Sequence, residues 1–310
     1  MSIPCYHSLA DVQIADNFGL ALGVFDGIHL GHQAVLDAAR VPGGKLGVVT
    51  FDPHPIQVLF PDKAPRRILA STAHKKFILR QYAVDFLVVL PFTKEFSQQS
   101  ARTFADALRH CRPKRLSCGS DWAFGAEKKG NPAKLQEWCP GVAVYPVSPV
   151  MAEGERISST RIRQALRDGS LTSAAAMLGR PYSVFGGVVQ GAQLGRTIGF
   201  PTANVASNAQ LLPANGVYAV TGRLADSDNP AAPPLLGVAN VGVKPTVSQD
   251  QQRSLEVHFL TGSVPQEYGW EVEIAFHRFL RPEQTFDGIE SLKNQILVDA
   301  DQARAFFAST

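Results

Sequence analysis

Cysteine is scarce in this chain, with four in 310 residues and no C-x-x-C pair. That argues against a zinc site or a disulfide scaffold and suits reduced thiols in a cytoplasmic protein. Long hydrophobic runs are also missing. Stretches such as 86–90 are far shorter than the roughly 20 residues a membrane helix needs, so no membrane partner is expected. Residues 1–10 hold no basic segment followed by an apolar one, so no export signal is expected. A strong charge of either sign is absent. Thirty Lys and Arg against 27 Asp and Glu give a net +3, which suits anionic small molecules and does not call for nucleic acid. What the chain does have is 45% hydrophobic residues, enough for a sizeable core and against global disorder.

The length accommodates two domains, and the pattern changes near residue 185. Before it, apolar runs at 20–25, 46–51, 86–91, 115–119 and 142–147 read as buried strands. Amphipathic stretches at 32–40, 72–82, 100–110 and 132–138 alternate with them. This alternation predicts an α/β domain with a Rossmann-like parallel sheet covered on both faces. After it, segments 184–189, 216–224, 235–241, 254–260 and 270–279 read as successive strands, which predicts an antiparallel sheet or small barrel. A terminal helix follows. Asp287 with Glu290 resembles a capping box, and Ile289, Leu292, Ile296, Ala300 and Ala303 give the apolar stripe. The segment 225–234 reads as an exposed loop. The boundaries drawn are 1–180 and 184–310.

The densest motif is Gly23-Val24-Phe25-Asp26-Gly27-Ile28-His29-Leu30-Gly31-His32. It reads as strand, tight turn and helix N-terminus, where free N–H groups and the helix dipole favour an anion. His29 and His32 straddle Gly31 and can stabilise charge in phosphoryl or nucleotidyl transfer; one capping and one packing histidine would look the same. Ile157-Ser158-Ser159-Thr160-Arg161-Ile162-Arg163 gathers hydroxyls and guanidinium groups at a second helix start. Ser159 or Thr160 would cap a helix running to Arg167. Two phosphate-suited segments in one domain point to a polyphosphate, ATP being the simplest. Asp52 and His54 follow the second strand, and Asp121 the fourth, so each is expected at the ligand edge. The basic residues Arg66, Arg67, Lys75, Lys76 and Arg80 read as a solvated helix face.

In the second half, a glycine-rich stretch ends Gly199-Phe200-Pro201-Thr202-Ala203-Asn204. It is not a Walker A loop, since no G-K-[ST] occurs. Thr202 and Asn204, two apart on an extended face, offer hard oxygen donors to Mg²⁺ and a triphosphate. In Leu255-Glu256-Val257-His258-Phe259, alternation puts Glu256 and His258 on one face. Glu256 can accept a substrate hydroxyl proton, although an exposed polar face would show the same pattern.

In order along the chain, these motifs resemble the bifunctional bacterial riboflavin kinase/FMN adenylyltransferase family, also called FAD synthetase. The first half matches in the Gly23–His32 run, Thr50-Phe51-Asp52-Pro53-His54-Pro55, the 119–125 run and 157–163. The second matches in 179–182, the P-T-A-N run, 216–219, 237–242, Lys244-Pro245-Thr246, the Glu256 strand and Leu280-Arg281. Val24 stands where the family usually has Asn, and Trp122 where it usually has Phe. The resemblance implies a nucleotidyltransferase domain followed by a six-stranded antiparallel β-barrel. It implies ATP and phosphate contacts at Gly23, Phe25, Asp26, Gly31, Ser158, Ser159, Thr160, Arg161, Gly195, Thr202 and Asn204. Catalytic roles fall to His29, His32 and Arg163 in adenylyl transfer and to Glu256 in the kinase. Mg²⁺ falls at Thr202 and Asn204, and flavin contacts at Asp52, His54, Asp121 and Arg281. Riboflavin, FMN and FAD are the expected substrates and products. The chain is expected to be a monomer or weak homo-oligomer. Loss of one activity, or flavin or nucleic-acid binding without catalysis, are the alternatives.

Overall fold

The computed structural model describes residues 3–14, 17–64, 67–191, 198–207, 209–225, 232–243, 253–262, 264–265 and 267–309. Arg66, Gly195, Lys244-Pro245-Thr246 and most of the 225–234 loop therefore lie outside the described residues. The chain divides into two units. One holds Met1–Arg66 and Lys75–Ser158, the other Arg67–His74 and Ser159–Thr310.

The first unit is built on six parallel strands: β1 (Cys5–Tyr6), β2 (Phe18–Leu22), β3 (Lys45–Asp52), β4 (Phe86–Pro91), β5 (Arg115–Gly119) and β6 (Ala143–Val147). Their order in the sheet is β1-β4-β3-β2-β5-β6. Side chains alternate between two cores, one on each face. Leu20, Leu22, Val49, Phe86, Val88 and Leu90 enter one core, and Ala21, Leu46, Val48, Leu87 and Val89 the other. Both faces are covered, so the strands read as continuous apolar runs. The crossover helices include α1 (Leu30–Ala39), α2 (Pro55–Leu59), α3 (Thr72–Gln81), α4 (Lys94–Ser97), α5 (Ala101–His110) and α6 (Pro132–Trp138). A small hairpin, β7 (Met151–Ala152) with β8 (Glu155–Arg156), follows. Because β3 and β4 lie on one side of β2 and β5 and β6 on the other, the strand order reverses at β2. Open parallel sheets bind ligands beyond the carboxyl ends of the strands at such a point.

The second unit is a closed barrel of antiparallel strands: β9 (Tyr182–Val189), β10 (Ala203–Val205), β11 (Gly216–Leu224), β12 (Leu235–Val243), β13 (Arg253–Phe259) and β14 (Glu271–Arg281). The apolar pattern misses β10, a three-residue strand led by Pro201. Helices α7 (Ser159–Arg167) and α8 (Leu171–Leu178) also group with this unit, whereas the sequence reading gave 159–180 to the first half. The α8 side chains Leu171, Ala174, Met177 and Leu178 are buried, and α8 packs on β9 and β14.

The terminal helix, here α9 (Ile289–Ala308), begins after Gly288, which makes no side-chain cap. Asp287 stands one residue too early, so the expected capping box does not start the helix. Ile289 is exposed, while Ala300 and Ala303 are buried as expected. Inside the second unit, His74 Nδ1 lies 2.8 Å from Gln210 Oε1 and Nε2 lies 3.0 Å from Glu273 Oε1. Ser183 Oγ donates to the same carboxylate oxygen at 2.8 Å. All four side chains are buried, and each imidazole nitrogen lies within hydrogen-bond distance of a side-chain oxygen.

Candidate functional site

The first cluster forms where β2 turns into α1. The Gly23 N–H donates to the Val49 carbonyl at 3.2 Å and keeps the turn on the sheet edge. Phe25, Gly27 and Ile28 have φ of 53°, 86° and 47°. Such conformations are strained for residues other than glycine and persist only where packing over-determines them. Phe25 and Ile28 are fully buried, which supplies that packing. His29 is the N-cap of α1, and its Nδ1 accepts from the His32 N–H at 3.3 Å. That contact puts the proton of a neutral His29 ring on Nε2, making Nε2 a donor. The two imidazoles stack with centroids 3.7 Å apart. Gly31 makes room for this stack, since a Cβ there would come within 3.1 Å of His29 Cε1.

Other predicted residues sit around this turn with different commitments. Asp26 is buried. Val24 is half-buried, and its carbonyl accepts from Thr50 Oγ1 at 2.9 Å, so position 24 is held through its backbone. Asp52 is exposed at the end of β3, and His54 caps α2 by accepting from the Ile56 N–H at 3.2 Å. Asp121, beyond β5, pairs through both carboxylate oxygens with Arg156, and both side chains are about half exposed. The Arg156 hydrogen bond holds the Asp121 carboxyl below its ordinary range. Trp122 keeps an aromatic where Phe is usual and stacks on Phe124 with centroids 4.7 Å apart.

Sequence reasoning passed over Lys75, which is no solvated charge: it is only 4% exposed. Its neighbours in the basic stretch hid it, and the signal available was its position on the inward face of α3. The Ser158–Arg163 segment opens α7, which starts at Ser159, so neither Ser159 nor Thr160 precedes the helix as its cap. Ser158, Ser159 and Arg161 are half-buried, Thr160 is exposed and Arg163 is buried. Ser158 ends the first unit and the other residues belong to the second.

The second cluster belongs to the barrel. Glu256 stands opposite Asn204 in the β10–β13 ladder and opposite Asn240 in the β12–β13 ladder. Directly paired residues share a sheet face, so an amide flanks the carboxylate on each side. The alternation along β13 is as expected: Leu255 and Val257 are buried, and Glu256 and His258 half-exposed. A cavity of about 240 Å³ opens on this outer face, lined by Thr202, Asn240, Glu256, Arg281, Glu283 and Phe286 among others. Leu292, Ile296 and Asp299 of α9 form its far wall. His258 Nδ1–H donates to the Pro201 carbonyl at 2.9 Å and pins the segment that carries Thr202.

Asn204 is buried and lies against Gly191, where an added Cβ would fall 2.0 Å from its Nδ2. Arg281 lines the cavity, but its guanidinium is engaged elsewhere. Nε and Nη2 each donate to Asp299 at 2.8 Å, and Nη1 to the Pro282 carbonyl at 3.0 Å. Asp299, Asn240 and Glu283 were not singled out from sequence. Asp299 sits in an amphipathic helix, and Glu283 stands two residues beyond the end of β14, outside any strand or helix.

The donor chemistry fits Mg²⁺. Thr202 and Asn204 offer neutral oxygens, with the Glu256 carboxylate in register beside Asn204. Among the described residues no group of three or more His, Cys, Asp or Glu forms a dedicated metal cage. A site of this kind suits an ion that arrives with substrate phosphates. Of the four free cysteines Cys5 is exposed and Cys111, Cys118 and Cys139 are buried, and burial pushes the Cys118 thiol up to about 12.

A parallel α/β unit with a histidine-capped turn at its switch point, and a barrel with a carboxylate between amides over a cavity, define a two-module nucleotide-handling enzyme. Residues 12–161 match the family model described as FAD synthetase, and residues 178–307 the one described as riboflavin kinase. The bifunctional riboflavin kinase/FMN adenylyltransferase of Listeria monocytogenes is 38% identical over 99% of this chain and 98% of its own. The Escherichia coli K12 protein of the same name is 38% identical over 94% of this chain and 93% of its own. The chain belongs to the bifunctional riboflavin kinase/FMN adenylyltransferase family. A solved structure titled as a macrolide-efflux protein from Streptococcus pneumoniae is 30% identical and covers 98% of this chain and 99% of its own, with a TM-score of 0.79. Among the described residues no helix is long and apolar enough to cross a membrane.

Proposed function

We propose that the barrel module phosphorylates riboflavin and the α/β module adenylates the FMN so formed, each consuming one ATP. The observation that carries the reading is Glu256, held in register between Asn204 and Asn240 at the cavity wall. In the kinase step Glu256 accepts the proton of the ribityl 5′-hydroxyl. The hydroxyl oxygen bonds to the γ-phosphorus, and ADP leaves. Thr202 and Asn204 would hold Mg²⁺, which when bound neutralises triphosphate charge.

Adenylyl transfer needs no base, because the FMN phosphate is already ionised. Its oxygen attacks the α-phosphorus of ATP and pyrophosphate departs. Stabilising the charge that develops is the role we assign to His29 and His32 at the α1 N-terminus. The resemblance assigns phosphate contacts to Ser158, Ser159 and Thr160 and a catalytic role to Arg163. Gly23, Phe25, Asp26 and Gly31 shape that turn. Asp52, His54 and Asp121 lie toward the flavin, and Arg281 shapes the kinase cavity through Asp299. Adenylyl transfer is assigned to 1–180 and the kinase to 184–310. The reading makes the protein cytoplasmic, monomeric or weakly self-associating, with small molecules and no nucleic acid as partners. Incubating the full chain with riboflavin and ATP, with and without Mg²⁺, tests it. FMN and FAD should both form with Mg²⁺ and neither after chelation.

A further inference from the structure

Lys75, a residue of the first unit, is buried with 4% exposure. A buried ammonium is costly unless anionic or hydrogen-bonding partners offset the lost hydration. The partners here run toward the α1 turn. Lys75 Nζ donates to Thr50 Oγ1 at 3.5 Å, and that fully buried hydroxyl donates to the Val24 carbonyl at 2.9 Å. Burial lowers the Lys75 pKa, while the charges of Asp26 and Asp52 raise it. Val24 and Asp26 flank Phe25, which with Gly27 and Ile28 forms the positive-φ stretch leading into His29. Such a stretch keeps its shape only if its neighbours fix it. The side chain is too enclosed to meet substrate, so any effect on chemistry passes through this turn.

We propose that Lys75 is a positioning residue for adenylyl transfer: through Thr50 and Val24 its ammonium holds the 23–29 turn in the shape that stacks His29 on His32. This inference rests on the function proposed for the first unit.

The test uses the full chain with Lys75→Met, Lys75→Arg and Thr50→Val. FAD formation from supplied FMN is followed alongside FMN formation from riboflavin, which reports on the other unit in the same sample. Lys75→Met should lower kcat for FAD formation about 100-fold, the scale of a misplaced catalytic group, with KM for ATP nearly unchanged. Lys75→Arg should recover part of that kcat. Thr50→Val should lower kcat in the same way, and the double variant should be no worse than Lys75→Met, because the two act in one chain of contacts. Unchanged kcat in Lys75→Met, a loss confined to KM, or additive losses in the double variant would each overturn the proposal. A wild-type protein that makes no FAD would instead overturn the function on which it rests.

Discussion

Glu256 stands in register with Asn204 across the β10–β13 ladder. In the proposed kinase step that pairing sets the proton acceptor, Glu256, beside an amide suited to the metal. Glu256→Gln keeps the shape and removes the base. The kcat for riboflavin phosphorylation should fall by about 10²–10⁴, with KM for ATP little changed. Steady-state kinetics of FMN formation checks this.

Gly191 controls Asn204 from the other side. A methyl at 191 would fall 2.0 Å from Asn204 Nδ2, so the amide must turn away. Gly191→Ala should weaken the kinase about tenfold or more, with a higher Mg²⁺ requirement, and leave the barrel folded. An Mg²⁺ titration of FMN formation, with circular dichroism as the fold control, measures both parts.

The Arg281–Asp299 pair ties β14 to α9 and braces the cavity wall. Asp299 is 3% exposed on its side chain and Arg281 18%. Removing one partner leaves a largely buried charge, which costs about 3–5 kcal/mol. Asp299→Asn should therefore lower the denaturant midpoint and raise KM for riboflavin. Replacing Arg281 and Asp299 together by apolar residues should recover stability better than it recovers KM.

Glu273 makes the barrel unit acid-sensitive. Burial pushes its carboxyl up, but the His74 hydrogen bond and charge, then Ser183 and Arg180, outweigh that and hold it below the usual range. A carboxyl with a depressed folded pKa stabilises fully above its unfolded value, about 4.3. That stabilisation is lost as pH falls through the folded value. The thermal midpoint of the barrel transition should drop steeply below about pH 4 in the wild type. In Glu273→Gln it should start lower and depend less on pH. Scanning calorimetry between pH 3 and 7 gives both slopes.

Much of this architecture was legible in the sequence because both sheets announce themselves locally. Buried parallel strands such as 86–91 and 115–119 read as continuous apolar runs, and the barrel strands as runs between Gly, Pro and Asn. The His29/His32 turn and the Thr202/Asn204 pair were legible because their chemistry lies within a few residues. What escaped were features that exist only across the chain. Asn240 meets Glu256 through strand register, Asp299 meets Arg281 from a helix 18 residues away, and Lys75 is buried by packing that composition does not encode. The grouping of α7 and α8 with the barrel is a feature of the same kind. Helices α7 and α8 follow the first sheet in sequence, yet the apolar face of α8 packs on β9 and β14.

The separation of two chemistries in one chain is tested most directly by quantifying both products for Glu256→Gln and His29→Ala. Each variant is given riboflavin with ATP, and separately FMN with ATP, at saturating Mg²⁺. Glu256→Gln should make no FMN from riboflavin and convert supplied FMN to FAD at the wild-type rate. His29→Ala should accumulate FMN and make FAD at least about 100-fold more slowly. Loss of both products in either folded variant would contradict the two-site account.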